Sequence, residues 1–333
     1  MKIFFLSSQI QGLRIVDTFP WLFLFSGKIK KKFTKIDLIS STTYFLFFIY
    51  SLFISNHNLS FLKISAFLLL FFLASRISLN RYTNINLNFY IFVLFGIILE
   101  EIMASYFGIT SPIVRDVQGA FFFFREKSYF SLILFSLITF SREIKYSHII
   151  FLFFIGIFTQ SGIFWLLYFG LIFYKLIRNY SEHLINYLFV ITTITLYGYL
   201  NIFVENFKSL FSLITYTDAL RPLLNLTALN SNCIGTIFLE QCVQNKDFLN
   251  YSNLVGWDRI TAQAPFFLLY SYFGIPGIFL SIFILVLMYQ KIKNHNNSGF
   301  IFFNILLQMF IQGFLLSPLF LWVLALSKEK IKR

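Results

Sequence analysis

Residues 111–140 read SPIVRDVQGAFFFFREKSYFSLILFSLITF. An apolar span lies near 119–141. Arg115 and Asp116 stand just outside it, and Arg125, Glu126 and Lys127 stand inside it or at its mouth. A charge at the centre of a bilayer costs at least about 2.5–3.5 kcal/mol, so such residues face a partner, a cavity or a substrate. Two readings are open. Either all five charges sit at an interface and anchor the helix, or Arg115 and the Arg125-Glu126-Lys127 cluster line a polar cavity open to one side of a membrane.

Composition supplies the solvent for that stretch. Of 333 residues 58% are hydrophobic and 12% charged, and mean hydropathy is +0.75. Soluble domains carry about 25% charged residues. The expectation is an all-α polytopic membrane protein. Phe occurs 49 times. Together with abundant Ile, Lys, Asn and Tyr it reflects AT-rich codons, and the excess is read as filling lipid-facing positions. The net charge of +13 has a membrane explanation, because Lys and Arg collect on the cytoplasmic side. It calls for no nucleic-acid partner. It also suits an anionic lipid or a phosphorylated substrate without establishing either. The first residues, MKIFFLSSQIQGL, hold too short an apolar run for a standard signal peptide.

Working outward, residues 16–25 are apolar but contain Asp17 and Pro20, and Lys28, Lys30, Lys31, Lys32 and Lys35 follow. The segment is a short tilted span or a helix lying in the interface. Either way the lysines belong inside. Spans are expected near 38–55, 59–78, 86–107, 119–141, 146–160, 162–177, 184–204 and 263–289, with a further apolar stretch over 299–326. With the lysine cluster inside, Arg76 and Arg81, Arg142 and Lys145, Lys175 and Arg178, and Lys291 and Lys293 all fall inside, while the breaks at 56–58 and 160–161 carry no Lys or Arg. The stretch from Gly299 to Leu326 would be about 42 Å long as one helix. One crossing would leave Lys328, Lys330, Lys332 and Arg333 outside. A hairpin or re-entrant pair, broken near Gln312-Gly313 or Ser317-Pro318, is therefore expected. The total is 10 or 11 crossings in a single domain, 1–333.

Residues 205–262 form a long external loop inserted in that domain. The loop holds four basic and five acidic side chains, while the chain as a whole holds 27 and 14, so the excess positive charge lies elsewhere. A loop of this length is functional or disordered, and its recurrent Leu, Ile, Phe, Tyr and Trp argue against disorder. Both cysteines, Cys233 and Cys242, lie in it. Their separation is compatible with a disulfide, which persists outside the cytoplasm; two free thiols are the alternative. No His accompanies them, so they make a poor metal site. After the loop, Pro276 with Gly274 and Gly277 should break or kink the next span. Backbone groups freed at membrane depth need protein or water partners.

The chain has no P-loop, dinucleotide fingerprint, paired metal-spaced His or nucleophile elbow. His57, His148, His183 and His295 are scattered and are read as interfacial residues. No cofactor or metal is indicated, so any enzymatic chemistry must use pre-activated substrates, arginines and carboxylates. On the external side Arg115, Arg221 and Arg259 suit bidentate binding of phosphate. Glu126 is the candidate general base, because partial burial raises a carboxyl pKa toward the working range. Asp116 and Asp258, each beside an Arg, are read as ion-pair partners. Glu100, Glu101 and Arg125 are secondary candidates.

The order of these features resembles the O-antigen polymerase/ligase family, the Wzy-type oligosaccharide repeat-unit polymerases. Arg115, Gly119, Phe121 and Glu126-Lys127-Ser128 are similar to the family's Arg-x-x-x-Gly-x-Phe…Glu-Pro-Ser element, with Lys127 in place of its proline. Phe158-Thr-Gln-Ser161-Gly162 is similar to its Thr/Ser-x-Ser-x-Gly turn. Tyr272-Phe273-Gly274-Ile275-Pro276-Gly277 is similar to its Glu-x-Gly-Ile-x-Gly element, with Tyr272 in place of the Glu. The resemblance implies a metal-independent membrane glycosyltransferase of GT-C-like architecture in the bacterial inner membrane, with the long loop periplasmic. It implies undecaprenyl-diphosphate-linked oligosaccharides as donor and acceptor, and Arg115, Arg221 and Arg259 at the diphosphate. Membrane lipids and a polysaccharide chain-length regulator are candidate partners. The family's ligases carry a His in the long loop and residues 205–262 have none, which favours polymerase over ligase. A flippase or transporter of lipid-linked oligosaccharide is the alternative; topological pseudo-symmetry would favour it, and the sequence displays none.

Overall fold

A computed structural model describes residues 28–29, 33–54, 59–78, 85–107, 127–139, 141, 144–177, 191, 264–311 and 318–326. The described residues are mostly helical. Ten helices carry the argument: α1 (Lys35–Ile54), α2 (Leu59–Arg76), α3 (Leu87–Phe107), α4 (Lys127–Thr139), α5 (Tyr146–Thr159), α6 (Gly162–Ile177), α7 (Pro265–Phe273), α8 (Ile275–Ile292), α9 (Ser298–Phe310) and α10 (Pro318–Ala325). A two-residue antiparallel ladder pairs β1 (Lys28–Ile29) with β2 (Ile77–Ser78). Sequence periodicity carries no signal for so short a pairing.

Among the described residues two helical segments, Lys35–Phe53 and Ile275–Ile292, are long and apolar enough to cross a membrane. Shorter apolar helices cover Phe130–Thr139, Tyr146–Thr159, Gly162–Ile177 and Ser298–Phe310. The expected span near 184–204 and the loop 205–262 lie outside the described residues.

Local chemistry explains where several helices start and stop. Thr34 and Asp37 make a reciprocal cap at the start of α1. The Thr34 hydroxyl accepts from the Asp37 N–H (3.2 Å), and Asp37 Oδ2 accepts from the Thr34 N–H (3.2 Å) and hydroxyl (2.6 Å). At the start of α5 the Lys145 N–H donates to His148 Nδ1 at 3.4 Å. Gln160 ends α5 in the left-handed region (φ 49°, ψ 40°), its N–H returned to the Gly156 carbonyl. The Ser161 hydroxyl then accepts from the Phe164 N–H, starting α6. This tight reversal makes α5 and α6 an antiparallel hairpin, with Phe153 against Trp165 and Tyr168.

The expected single span near 263–289 is instead two helices. Gly274, at φ 68° and ψ −140°, stands between α7 and α8, a conformation open to glycine and strained for other residues. A Cβ on Gly277 would collide with the backbone carbonyl of Leu269. Eight residues of continuous helix would separate those positions by about 12 Å, so the chain doubles back sharply at Gly274. The stretch 299–326 is likewise divided into α9 and α10, with 312–317 outside the described residues.

Contacts between helix ends give the bundle two distinct ends. The Arg76 guanidinium lies 3.5 Å from the Phe33 ring, beside the β1–β2 ladder, and joins the end of α2 to the start of α1. Lys291 near the end of α8 approaches Asp37 (3.9 Å) and donates to the Leu324 carbonyl of α10. Asn297, between α8 and α9, donates to the carbonyls of Thr139 and Ser141 after α4. The Tyr174 hydroxyl of α6 donates to the Asn296 carbonyl, and the Lys175 ammonium lies 3.3 Å from the Tyr146 ring at the start of α5. Lys35, Arg76, Lys145, Lys175, Lys291 and Lys293 are thereby gathered at one end, the basic end.

The core is aromatic and aliphatic. Tyr44, Phe71, Tyr90, Phe130, Phe135 and Phe164 are its largest fully buried side chains. Phe45, Phe53, Phe95, Phe169 and Phe279 are exposed. The described phenylalanines thus serve as core as well as outer surface. His148 and His295 are buried at the basic end, at 5% and 7% exposure: His148 stacks on Tyr90 at 4.8 Å and His295 closes the turn between α8 and α9.

Candidate functional site

The opposite end of the bundle is fixed by the same contacts. α4 has 13 residues and leaves the basic end at Thr139, which puts Lys127 about 18 Å away along its axis. α5 has 14 residues and starts at the basic end with Tyr146; Gln160 lies about 21 Å along it. α8 has 18 residues, so Gly274 is about 27 Å from Ile292. Lys127, the Gln160-Ser161-Gly162 turn and the Gly274 corner therefore all lie away from the basic end.

Two of these elements touch. The Lys127 ammonium donates to the Gln160 carbonyl at 3.0 Å. The left-handed conformation of Gln160 reverses the chain where that carbonyl accepts from Lys127. Gly162, close by in the same turn, has open space where a Cβ would stand. The beginning of α4, which directly follows Glu126, is in this way tied to the turn that starts α6. The Gly274 corner is anchored elsewhere: Phe273 packs against Phe47 and Tyr50 of α1, at 5.5 and 5.9 Å.

Of the expected carboxylates, Glu100 is buried at 6% exposure and Glu101 is exposed. Tyr90 contacts His148 near the basic end, so Glu100 lies about 15 Å further along α3. Glu101 shares its surface with exposed Ile98, Leu99 and Ile102. Arg115, Asp116, Arg125, Glu126, Arg221, Arg259, Cys233 and Cys242 lie outside the described residues. Among the described residues there is no grouping of three His, Cys, Asp or Glu able to hold a metal ion.

Sequence reasoning missed the polar links inside the bundle. The Asp37–Lys291 pair joins residues 254 positions apart, with side chains 2% and 6% exposed. The Thr34-x-x-Asp37 spacing was a readable cap signal, but nothing in the chain indicated Lys291 as its partner. A second link is the buried cluster in which Gln308 Nε2 donates to Asn304 Oδ1 (3.0 Å) and Ser136 Oγ (3.2 Å), fastening α9 to α4. Comparison with protein-family models, curated proteins and solved structures gives no match to this chain.

Proposed function

We propose that the chain is a multi-pass membrane glycosyltransferase that polymerises undecaprenyl-diphosphate-linked oligosaccharide repeat units, working at the end of the bundle away from its basic residues. The observation that carries the reading is the Lys127–Gln160 hydrogen bond. It joins two of the segments similar to the polymerase motifs, and it does so at the end where a periplasmic site belongs. The basic residues at the other end fit a cytoplasmic face. The glycine corner at 274–277 falls within the third segment that resembles the family.

In this mechanism a sugar hydroxyl of the acceptor attacks the anomeric carbon of the donor. Glu126, immediately before Lys127 in the chain, accepts the proton as general base. The carbon–oxygen bond to the diphosphate breaks, and Arg115, with Arg221 and Arg259 from the long loop, binds the departing diphosphate. Lys127 holds the start of α4 against the α5–α6 turn, and Glu126 is its neighbour in the chain. The reading rests on resemblance for its chemistry, because a fold alone does not specify a reaction.

The test is Arg115→Ala in cells that display the polysaccharide. Gel electrophoresis should show a ladder collapsed to lipid-linked single repeats, with those single repeats still made. An undiminished ladder would defeat the proposed role of Arg115, and loss of single repeats as well would favour flipping over polymerisation.

A further inference from the structure

Helix length is uneven around the bundle. α1, α3 and α8 have 20, 21 and 18 residues, or about 27–32 Å, enough to cross a hydrocarbon layer about 30 Å thick. The hairpin helices α5 and α6 have 14 and 16, or about 21 and 24 Å. Gln160, in its left-handed conformation, ends α5 and turns the chain back into α6, so neither helix continues outward. Each of these helices has one terminus at the basic end. The hairpin's shortfall of about 6–9 Å against the hydrocarbon layer therefore lies at the opposite end.

The outer surface follows the same contour. α1 and α8 share one side of the bundle, with Tyr44 against Phe283. There the exposed side chains stay apolar far from the basic end: Phe53 of α1 and Ile275 of α8 lie about 26–27 Å along their helices. On α5 the last exposed large apolar side chain is Ile157, about 17 Å from the helix start. Exposed Gln160 and Gly162 follow. Trp165, half-buried, stands one turn below Gly162 on α6, the depth at which Trp collects in a membrane interface.

Charge marks the same level. Tyr90 stacks on His148, and α3 and α5 run parallel from that contact. Glu101 and Gln160 are thus level, about 17 and 18 Å beyond it. Glu101 is exposed, and the Lys127 ammonium meets the Gln160 carbonyl at this height. In a bilayer of ordinary thickness Glu101 would face hydrocarbon, which is costly for a charge.

We infer that the outer leaflet is drawn inward along α3, α5 and α6, bringing phospholipid headgroups down to the level of Glu101, Lys127 and the Gln160–Gly162 turn. A span shorter than the hydrocarbon layer is accommodated by local thinning at modest cost. Headgroups are the occupant because the flank of the hairpin is apolar and exposed up to Ile157; acyl chains lie against it and end where it ends. The inference rests on the membrane reading above but not on the polymerase chemistry. For a lipid-linked substrate, the thinning shortens the path from hydrocarbon to the start of α4.

The experiment uses the full chain with Cys233→Ser and Cys242→Ser, and a nitroxide on Gln160→Cys, Glu101→Cys or Phe53→Cys, in vesicles of dioleoylphosphatidylcholine. Collisions with oxygen report hydrocarbon, with a soluble nickel chelate water, and with a nickel-chelating lipid the headgroup layer. The labels at 160 and 101 should collide with the lipid-borne nickel. The label at 53 should collide mainly with oxygen, although it lies about 6 Å further from the basic end than position 160. In thinner dimyristoleoyl vesicles the label at 53 should gain nickel contact, while the other two change little. Oxygen dominance at 160 and 101 would overturn the inference, as would nickel contact at 53 equal to theirs in the dioleoyl bilayer. Collision with the soluble chelate alone would overturn the assignment to headgroups in favour of a water-filled hollow. Positions 160 and 101 stand on different helices, so a variant that fails to fold leaves the other to decide. A chain recovered in water without detergent would defeat the membrane reading itself, whereas one that inserts with 53 and 160 at equal depth would defeat only this inference.

Discussion

A buried charge is tolerated only with a partner, and Asp37 and Lys291 each supply the other's. Both side chains are nearly inaccessible. The carboxylate also accepts from Thr34, and the ammonium also donates to the Leu324 carbonyl. Removing one member leaves the other uncompensated, which costs about 3–5 kcal/mol in comparable pairs. Lys291→Met or Asp37→Leu alone should lower the thermal midpoint markedly, and the double variant should be less destabilised than the two losses added. A thermal-melt double-mutant cycle in detergent reads that coupling; strict additivity would show that the pair is not an interacting unit. His295 offers a test by pH. Burial lowers its pKa from 6.5 to about 4, and its Nδ1 accepts from the Asn297 N–H, as a neutral ring does. The unfolded chain binds the proton first, so this contribution is intact above about pH 6.5 and is lost as pH falls toward 4, by on the order of 3 kcal/mol. Replacing His295→Gln should flatten the acid limb of a stability–pH profile; an unchanged limb would assign it to other groups.

At the scale of elements, the α7–α8 corner depends on the absence of a side chain. A methyl group at Gly277 meets the Leu269 backbone, which cannot move aside as a flexible side chain can. Gly277→Ala should therefore destabilise the corner by about 1–3 kcal/mol, the range for overpacking, seen as a lower midpoint and faster proteolysis near residue 274. Gly162→Ala is the contrast, since nothing stands within 4 Å of the added carbon, and it should be close to neutral. A Gly277→Ala protein as stable as the parent would mean that the two helices do not approach so closely. The proline and glycines of 274–277 made a break legible in the chain. Its sharpness was not, because whether a Gly-Pro segment bends a helix or folds it back is set by what packs on either side, here Phe273 on Phe47 and Tyr50.

For the molecule as a whole, the orientation can be measured. Single cysteines at Lys293 and at Lys127, each in a protein with Cys233 and Cys242 replaced, should label from opposite faces of sealed vesicles. An impermeant thiol reagent should reach the position 127 thiol from the periplasmic face and the position 293 thiol only from the cytoplasmic face. Labelling of both from one face would overturn the two-ended arrangement. The contacts behind this expectation link α1, α2, α4, α5, α6, α8 and α10 through side chains as far apart in sequence as Asp37 and Lys291, or Thr139 and Asn297.

Much of the helical layout was readable because apolar run length and Gly, Pro or charged breaks are local properties. The boundaries expected at 59, 86–107, 146 and 162–177 agree with helices at Leu59, Leu87–Phe107, Tyr146 and Gly162–Ile177. The gathering of Lys35, Arg76, Lys145, Lys175, Lys291 and Lys293 at one end was also readable, since the expected spans alternate in direction and bring these residues to the same side. Which side chains meet was not. Lys127 on Gln160, Lys291 on Asp37 and Arg76 on Phe33 are products of tertiary packing, and no property of the individual residues names the partner. The same holds for the phenylalanines: Phe135 and Phe95 each stand in a run that is apolar all round, so the chain has no hydrophobic contrast by which to mark the first as core and the second as surface. Composition therefore determined that helices form and where they begin, while shape complementarity between them decided which faces turn inward and which charges find each other.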